Sequence, residues 1–218
     1  MAGPAGRSRD LRGAGLATPH RMRTHGGMRH AIDEALVLID LQRAMSDPAL
    51  PQRNNPQAEA NAARLLAAWR RGGGTIVHVR HLSLDPASGF RPGQPGAEFQ
   101  PAFLPAGREH VVDKHVTDAF TGSGLERYLR LRSITGLVFA GVATNYSVEA
   151  TARSAGCLGF DATVVSDACF TFARRDLTGV PRSAEDIHLA SLSNLDGEYA
   201  AIRTTDAVLS GIAEAMPA

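Results

Sequence analysis

The 218-residue chain holds only two cysteines, Cys157 and Cys169. Two cysteines make no disulfide framework, and their spacing does not suit a metal centre. Both read as ordinary buried residues of a reducing, cytoplasmic protein. Long apolar runs are also missing. The longest, LVFAGVA at 137–143, falls far short of the ~20 residues that cross a bilayer, so no membrane partner is expected. It reads instead as a buried strand. No internal repeat of solenoid length is present, which excludes stacked-repeat architectures. Net charge is small, at +1, but unevenly placed: residues 1–30 carry six arginines and one aspartate, which leaves −4 for the rest. That basic segment has no apolar periodicity and is expected to be a disordered extension, or the product of a start upstream of Met22 or Met28. It lacks the apolar core of a secretory signal. No aromatic residues are interleaved with its arginines to stack on bases, so no nucleic-acid partner is expected. Residues 31–218 then form one domain, long enough for one sizeable core.

What the chain does have is an alternation of strand and helix signals. Residues 35–40, ALVLID, form a continuous apolar run ending in an acid. Residues 56–71 read as a helix in which Ala58, Ala62, Leu65, Leu66 and Trp69 share one face. Asn55 would cap it with Pro56 in its first turn, and glycines 72–74 stop it behind Arg70 and Arg71. Strands are expected at 75–80, 110–113, 137–141, 162–166 and 199–203. Helices are expected at 124–132, 145–158 and 183–194, and from about 205. The Pro-, Gly- and Ser-rich stretch 82–108 reads as a loop over a site, and 171–182 as a second loop. This pattern predicts an α/β fold: a doubly wound, mostly parallel six-stranded sheet with helices on both faces. Ligands bind beyond the carboxyl ends of such strands. That rule nominates Asp40, His81, Lys114, the 143–147 turn and Asp167.

The residue types at those ends carry the chemistry. An aspartate ending a strand that is apolar on both faces is costly to bury unpaired. Alone, Asp40 reads equally well as a loop-capping acid, and Lys114 as a surface lysine. Converging on one rim, the two would pair and shift each other's pKa. Ser147 falls in the first turn of a helix entered from a tight turn, GVATNYS at 141–147. Backbone N–H groups there are unpaired and can hold an anion or a tetrahedral oxyanion. Ser147 and Asn145 are also ordinary helix-capping types.

Five pieces carry a resemblance: VLIDLQ at 37–42, VVDKHVTDAF at 111–120, LVFAGVATNYSVEATAR at 137–153, VVSDACFTF at 164–172, and GEYA at 197–200 behind the His188 helix. In this order and spacing the chain resembles the isochorismatase-like, or cysteine hydrolase, superfamily over about residues 32–212. The resemblance implies a Rossmann-type three-layer fold and hydrolysis of a C–N bond in a small amide or ureide. It implies Asp40 as general acid/base, Lys114 as its charged partner, and Ser147 where the family has a nucleophilic cysteine. The amides of Ala143 and Ser147 would form the oxyanion hole, beside a cis Val142–Ala143 peptide. His81, Phe120 and Tyr146 are expected to contact substrate.

The serine departs from the family pattern, because a hydroxyl is not ionised as a thiol is. Cys157 is no substitute, lying ~15 Å further along the helix. Three expectations follow: an amide or ureide hydrolase weakened or silenced at its nucleophile, a vinyl ether hydrolase of isochorismatase type that protonates its substrate and adds water, or a binding protein. Metal is not expected, since His78-Val-Arg-His81 lacks an acid and places its histidines on opposite faces of a strand. No other cofactor is implied. His188 reads as a packing or subunit-contact residue. Arg80, Arg91, Arg174 and Arg175 surround the rim and suit a substrate carboxylate, with none singled out. A homo-oligomer is implied by resemblance alone.

Overall fold

A computed structural model of the chain describes residues 34–215. The basic extension expected at 1–30 lies outside the described residues. The elements are β1 (Glu34–Ile39), α1 (Ala58–Gly72), β2 (Thr75–His81), β3 (His110–Lys114), α2 (Leu125–Arg130), β4 (Gly136–Val142), α3 (Glu149–Cys157) and β5 (Asp161–Phe170). A small hairpin of β6 (Arg174–Arg175) and β7 (Pro181–Arg182) follows, then α4 (Ala184–Leu195), β8 (Ala201–Arg203) and α5 (Thr205–Ala215). Six strands form one sheet in the order β3-β2-β1-β4-β5-β8, every neighbouring pair parallel.

The period-two pattern of β1 explains the layering. Ala35, Val37 and Ile39 enter one core layer with Leu125 and Leu129 of α2, Ala152 and Ala155 of α3, and Leu192 and Leu195 of α4. Leu36 and Leu38 enter the other, with Ala62, Leu65 and Trp69 of α1 and Val208 of α5. A strand covered on both faces must be apolar along its buried length, as residues 35–39 of β1 and all of β4 are. Strand order reverses at β1 and β4: β2 and β3 run outward on one side, β5 and β8 on the other. The crevice at their carboxyl ends is the place where such folds bind ligands.

Gly141 permits the close approach of these two central strands. Its φ is 140°, and a Cβ there would lie 2.1 Å from the Ile39 carbonyl oxygen.

Several local expectations are corrected. Asn55 does not cap α1, whose N-cap is Gln57. It takes φ 43° and donates its side-chain amide to the carbonyls of Ser166 (2.9 Å) and Cys169 (2.7 Å). The cause lies in β5, which runs to Phe170 rather than stopping near 166. Its register against β4 jumps, with Phe139 opposite Val164 but Gly141 opposite Cys169. The bulged carbonyls need outside donors, and Asn55 and Asn61 supply them (Asn61 to Asp167 O, 2.9 Å). Asp167, nominated as a strand-end residue, turns away to accept from the amide (2.7 Å) and hydroxyl (2.8 Å) of Thr205 at the start of α5. Cys157 is exposed, not buried. The 171–182 segment contains the β6–β7 hairpin. No helix among the described residues is long and apolar enough to cross a membrane.

Candidate active site

Asp40 follows β1 directly, with a left-handed φ of 52° that aspartate tolerates better than most residues. Its amide donates to Val79 O (3.0 Å), which ties the bend to β2. Lys114 closes β3, two strands away, or about 10 Å at the usual strand spacing. Only a long side chain crosses that gap. Lys114 does so while buried to 1% exposure, and Nζ donates to Asp40 Oδ2 (2.8 Å) and to Ser147 Oγ (3.0 Å). The three residues nominated at separate strand ends therefore meet at one ammonium group.

Lysine suits this position because the buried corner offers a compact set of acceptors, whereas a guanidinium brings five donors in a rigid fork. Lys114 is also the only lysine among the 23 Lys and Arg residues of the chain. That scarcity was a signal available in the composition.

Asp40 is 1% exposed, and its Oδ1 has no hydrogen-bond partner. Burial lifts the carboxyl above the ordinary carboxylate range, against the opposing charge of Lys114 and the hydrogen bonds from Lys114 and Ser147. The group is thus suited to hold a proton nearer neutral pH than a surface aspartate, with one oxygen free to deliver it.

Ser147 stands in a π-helical turn, Thr144–Val148, that leads into α3. This differs from the α-helical first turn expected from the sequence. The Val142–Ala143 peptide before it is cis. The Ala143 carbonyl accepts from the amides of Tyr146 (3.0 Å) and Val148 (3.3 Å). Single π turns recur at functional sites because they re-aim one side chain without ending the helix. Two residues of α4 grip the turn: His188 Nδ1 lies 2.8 Å from Thr144 Oγ1, and Ser191 Oγ donates to Thr144 O (3.1 Å). His188 therefore packs inside the chain.

Gln42 had no role assigned from the sequence, yet it is fully buried. Its Nε2 donates to His81 O (2.9 Å) and Ala97 O (2.8 Å), and its Oε1 accepts from His81 N (2.8 Å). Beside it, Arg43 N donates to Glu98 O (2.9 Å) and Gln100 N to Leu41 O (3.0 Å). The 82–108 loop is thereby pinned along the exit of β1. A polar amide two residues after Asp40, directly behind an apolar strand, was the available clue.

The expected substrate-contact residues are placed differently from one another. His81 pairs in register with Lys114, is half-buried, and meets Phe90 edge-on at 5.8 Å. Burial, then the charge of Lys114, holds its pKa below the usual histidine value. Tyr146, next to Ser147, is 48% exposed and accepts a hydrogen bond from Arg174. Phe120 packs against the α2–α4 core layer, 5.8 Å from Phe160. His78 is bound elsewhere, with Nε2 2.8 Å from Glu109 Oε2. Among the described residues, no group of three or more His, Cys, Asp or Glu could hold a metal ion. Burial pushes the Cys169 thiol up to about 12, which leaves it inert at neutral pH.

Comparison with known proteins agrees with this fold. The profile of the isochorismatase domain matches residues 34–207. The solved structure of an isochorismatase-family protein from Chromobacterium violaceum has 43% sequence identity and a TM-score of 0.82, covering 91% of this chain and all of that one. An uncharacterized isochorismatase family protein of Bacillus subtilis, YrdC, is 37% identical over 177 residues, 81% of this chain and 95% of its own length. Ureidoacrylate amidohydrolase RutB of Variovorax paradoxus is 29% identical over 223 residues, 85% of this chain and 84% of its own length.

Proposed function

The chain belongs to the isochorismatase family, and on that premise we propose that it hydrolyses a C–N bond of a small amide or ureide at Asp40, Lys114 and Ser147. The observation that carries this reading is the buried Lys114 ammonium, bonded at once to Asp40 Oδ2 and Ser147 Oγ. Ser147 Oγ attacks the substrate carbonyl carbon while its proton passes to Asp40. The amides of Ala143 and Ser147 receive the oxyanion. As the C–N bond breaks, Asp40 returns the proton to the leaving amine, and water then cleaves the ester on Ser147. Lys114 orients Oγ and steadies the Asp40 charge. A relative that is an amidohydrolase supports the bond class.

A serine hydroxyl is a weak nucleophile beside a thiolate, so turnover by this route is slow. Ser147→Cys is therefore expected to release ammonia from at least one member of a panel of small amides and ureides, faster than the unaltered chain. A second reading is favoured by the raised pKa of Asp40: a carboxylic acid can protonate a vinyl ether, to which water then adds, and no thiol is required. Consumption of isochorismate by the unaltered chain, with the Ser147→Cys protein inert on the whole amide panel, would select that reading. Ligand-induced thermal stabilisation without turnover in either form would instead select a binding protein.

A further inference from the structure

Behind the reactive turn lies a buried polar cluster that the proposed chemistry does not use. His188, 3% exposed, presents Nδ1 to Thr144 Oγ1 at 2.8 Å and Nε2 toward Asn55 Nδ2 at 3.4 Å. The protons can be assigned by elimination. Both amide hydrogens of Asn55 go to carbonyls, on Ser166 and Cys169. Nε2 therefore receives none from Asn55, and the neutral tautomer with its hydrogen on Nε2 suits both sides of the ring, for which the Ser166 backbone is a further acceptor. Nδ1 is then the acceptor, and Thr144 Oγ1 donates to it. One helical turn along the same face of α4, Ser191 Oγ has its single hydrogen shared between the Glu149 carboxylate (Oε2, 2.6 Å) and the Thr144 carbonyl (3.1 Å).

We infer that His188 is a positioning residue for the reaction: its neutral imidazole, through Thr144, holds the 143–147 turn so that the Ser147 side chain and the Ala143 amide face the substrate carbonyl. This rests on the proposed role of Ser147. Thr144 opens the π turn and Ser147 lies three residues on. A rotation of Thr144 thus moves both the nucleophile and the amide beside it. Protonating the ring would put a hydrogen on Nδ1 facing the Thr144 hydroxyl. The hydroxyl would have to turn and accept, and its own hydrogen would lose its buried partner. The turn is therefore coupled to the protonation state of His188.

The charged groups on the surrounding elements are Glu185 and Asp186 on α4, Glu149 and Arg153 on α3, Asp161 and Asp167 on β5, and Arg203 on β8. Of these, Glu185 acts on the ring and favours the cation, while burial favours the neutral form more strongly and lowers the pKa. Glu149 is committed to Arg153 (2.8 Å) and Ser191, and Asp167 to Thr205.

A thiol placed at 147 reports the turn without a known substrate. In a Cys157→Ser background the Ser147→Cys variant has one accessible thiol, because Cys169 is buried. Its alkylation by iodoacetamide is followed by intact mass from pH 5 to 8, with a cysteine peptide as reference. The site reading requires an apparent thiol pKa below that of the peptide; a value equal to the peptide's would overturn that reading whatever His188 does. With the lowered value in hand, His188→Leu is expected to slow alkylation about tenfold, the rate equivalent of one lost buried hydrogen bond. His188→Asn keeps an acceptor near the Nδ1 position and should restore the rate to within about threefold. It should also remove the extra loss of rate that the parent shows toward the acid end of the series, on the acid side of the usual histidine value because burial lowers the pKa of His188. Thr144→Val, alone and combined with His188→Asn, gives the same answer if His188→Leu does not fold: the same slowing is expected, with no rescue by asparagine. Unchanged alkylation in folded His188→Leu or Thr144→Val protein, or a pH profile identical in parent and His188→Asn, overturns the inference.

Discussion

Replacing Lys114 with methionine would test whether the centre is held by charge. The substitution keeps most of the buried stem and removes the ammonium group. Asp40 then remains 1% exposed with both carboxylate oxygens deprived of the cation and Oδ1 already without a partner. Removing one member of a buried ion pair costs about 3–5 kcal/mol while the other stays charged. Asp40 has an escape, which is to take up a proton. Its folded-state pKa is already raised by burial, and Lys114 supplies two of the influences that hold it down. Losing Lys114 raises it further. A raised folded pKa contributes stability that is complete below the unfolded value of ~3.9 and is lost as pH rises through the folded value. Lys114→Met should therefore unfold close to the unaltered protein near pH 4. It should fall behind by at most about 1.4 kcal/mol per pH unit above that, reaching about 3–5 kcal/mol by pH 8. Asp40→Asn combined with Lys114→Met removes the stranded charge and should flatten this dependence, recovering most of the loss. Urea unfolding followed by circular dichroism from pH 4 to 8 measures both. An equal deficit at pH 4 and pH 8, or a double variant as unstable as Lys114→Met at pH 8, would show that Lys114 acts by packing and refute the electrostatic account.

Two further perturbations address the frame around the centre. Gly141→Ala places a methyl group 2.1 Å from the Ile39 carbonyl in a backbone conformation closed to alanine; a loss of about 3 kcal/mol or more is expected in thermal unfolding, and a near-unchanged melting temperature would contradict the close approach of β1 and β4. Gln42→Leu leaves His81 N, His81 O and Ala97 O without their side-chain partners, at about 1–3 kcal/mol for each buried group that water does not reach; the loosened loop should be cut by a glutamate-specific protease after Glu98, beside the lost Ala97 anchor, sooner than in the unaltered chain, and equal cleavage rates would mean that the loop is held elsewhere.

The proposed alternation of strands and helices survived because local pattern carries it. A strand buried on both faces must be apolar throughout, and an amphipathic helix must repeat every 3.6 residues, so β1, β4 and α1 announce themselves. Element ends were less legible where tertiary demands prevail. Asn55 looks like a cap, but the bulged carbonyls of β5 take its amide. Asp167 looks like a rim acid, but the extension of β5 carries it to Thr205. Cys157 looked buried by residue type, and only the packing of α3 shows its exposed face. Both histidines of the His78–His81 pair were separated correctly by strand periodicity, while their partners, Glu109 and the Gln42-anchored rim, come from distant segments.

By itself, then, the sequence determined an α/β sheet whose strands end in Asp40, Lys114 and the turn before Ser147. Those follow from local polarity and the carboxyl-end rule for parallel sheets. The tertiary structure decided that the three converge, because their convergence depends on strand order. Lys114 leaves a strand two places from β1 and reaches Asp40 and Ser147 only after β3, β2, β1 and β4 have paired side by side. It also decided the surroundings of that ammonium: an aspartate lifted by burial, a glutamine fastening the loop, and a histidine behind the π turn. Each of these is a long-range contact, which residue type and spacing do not specify.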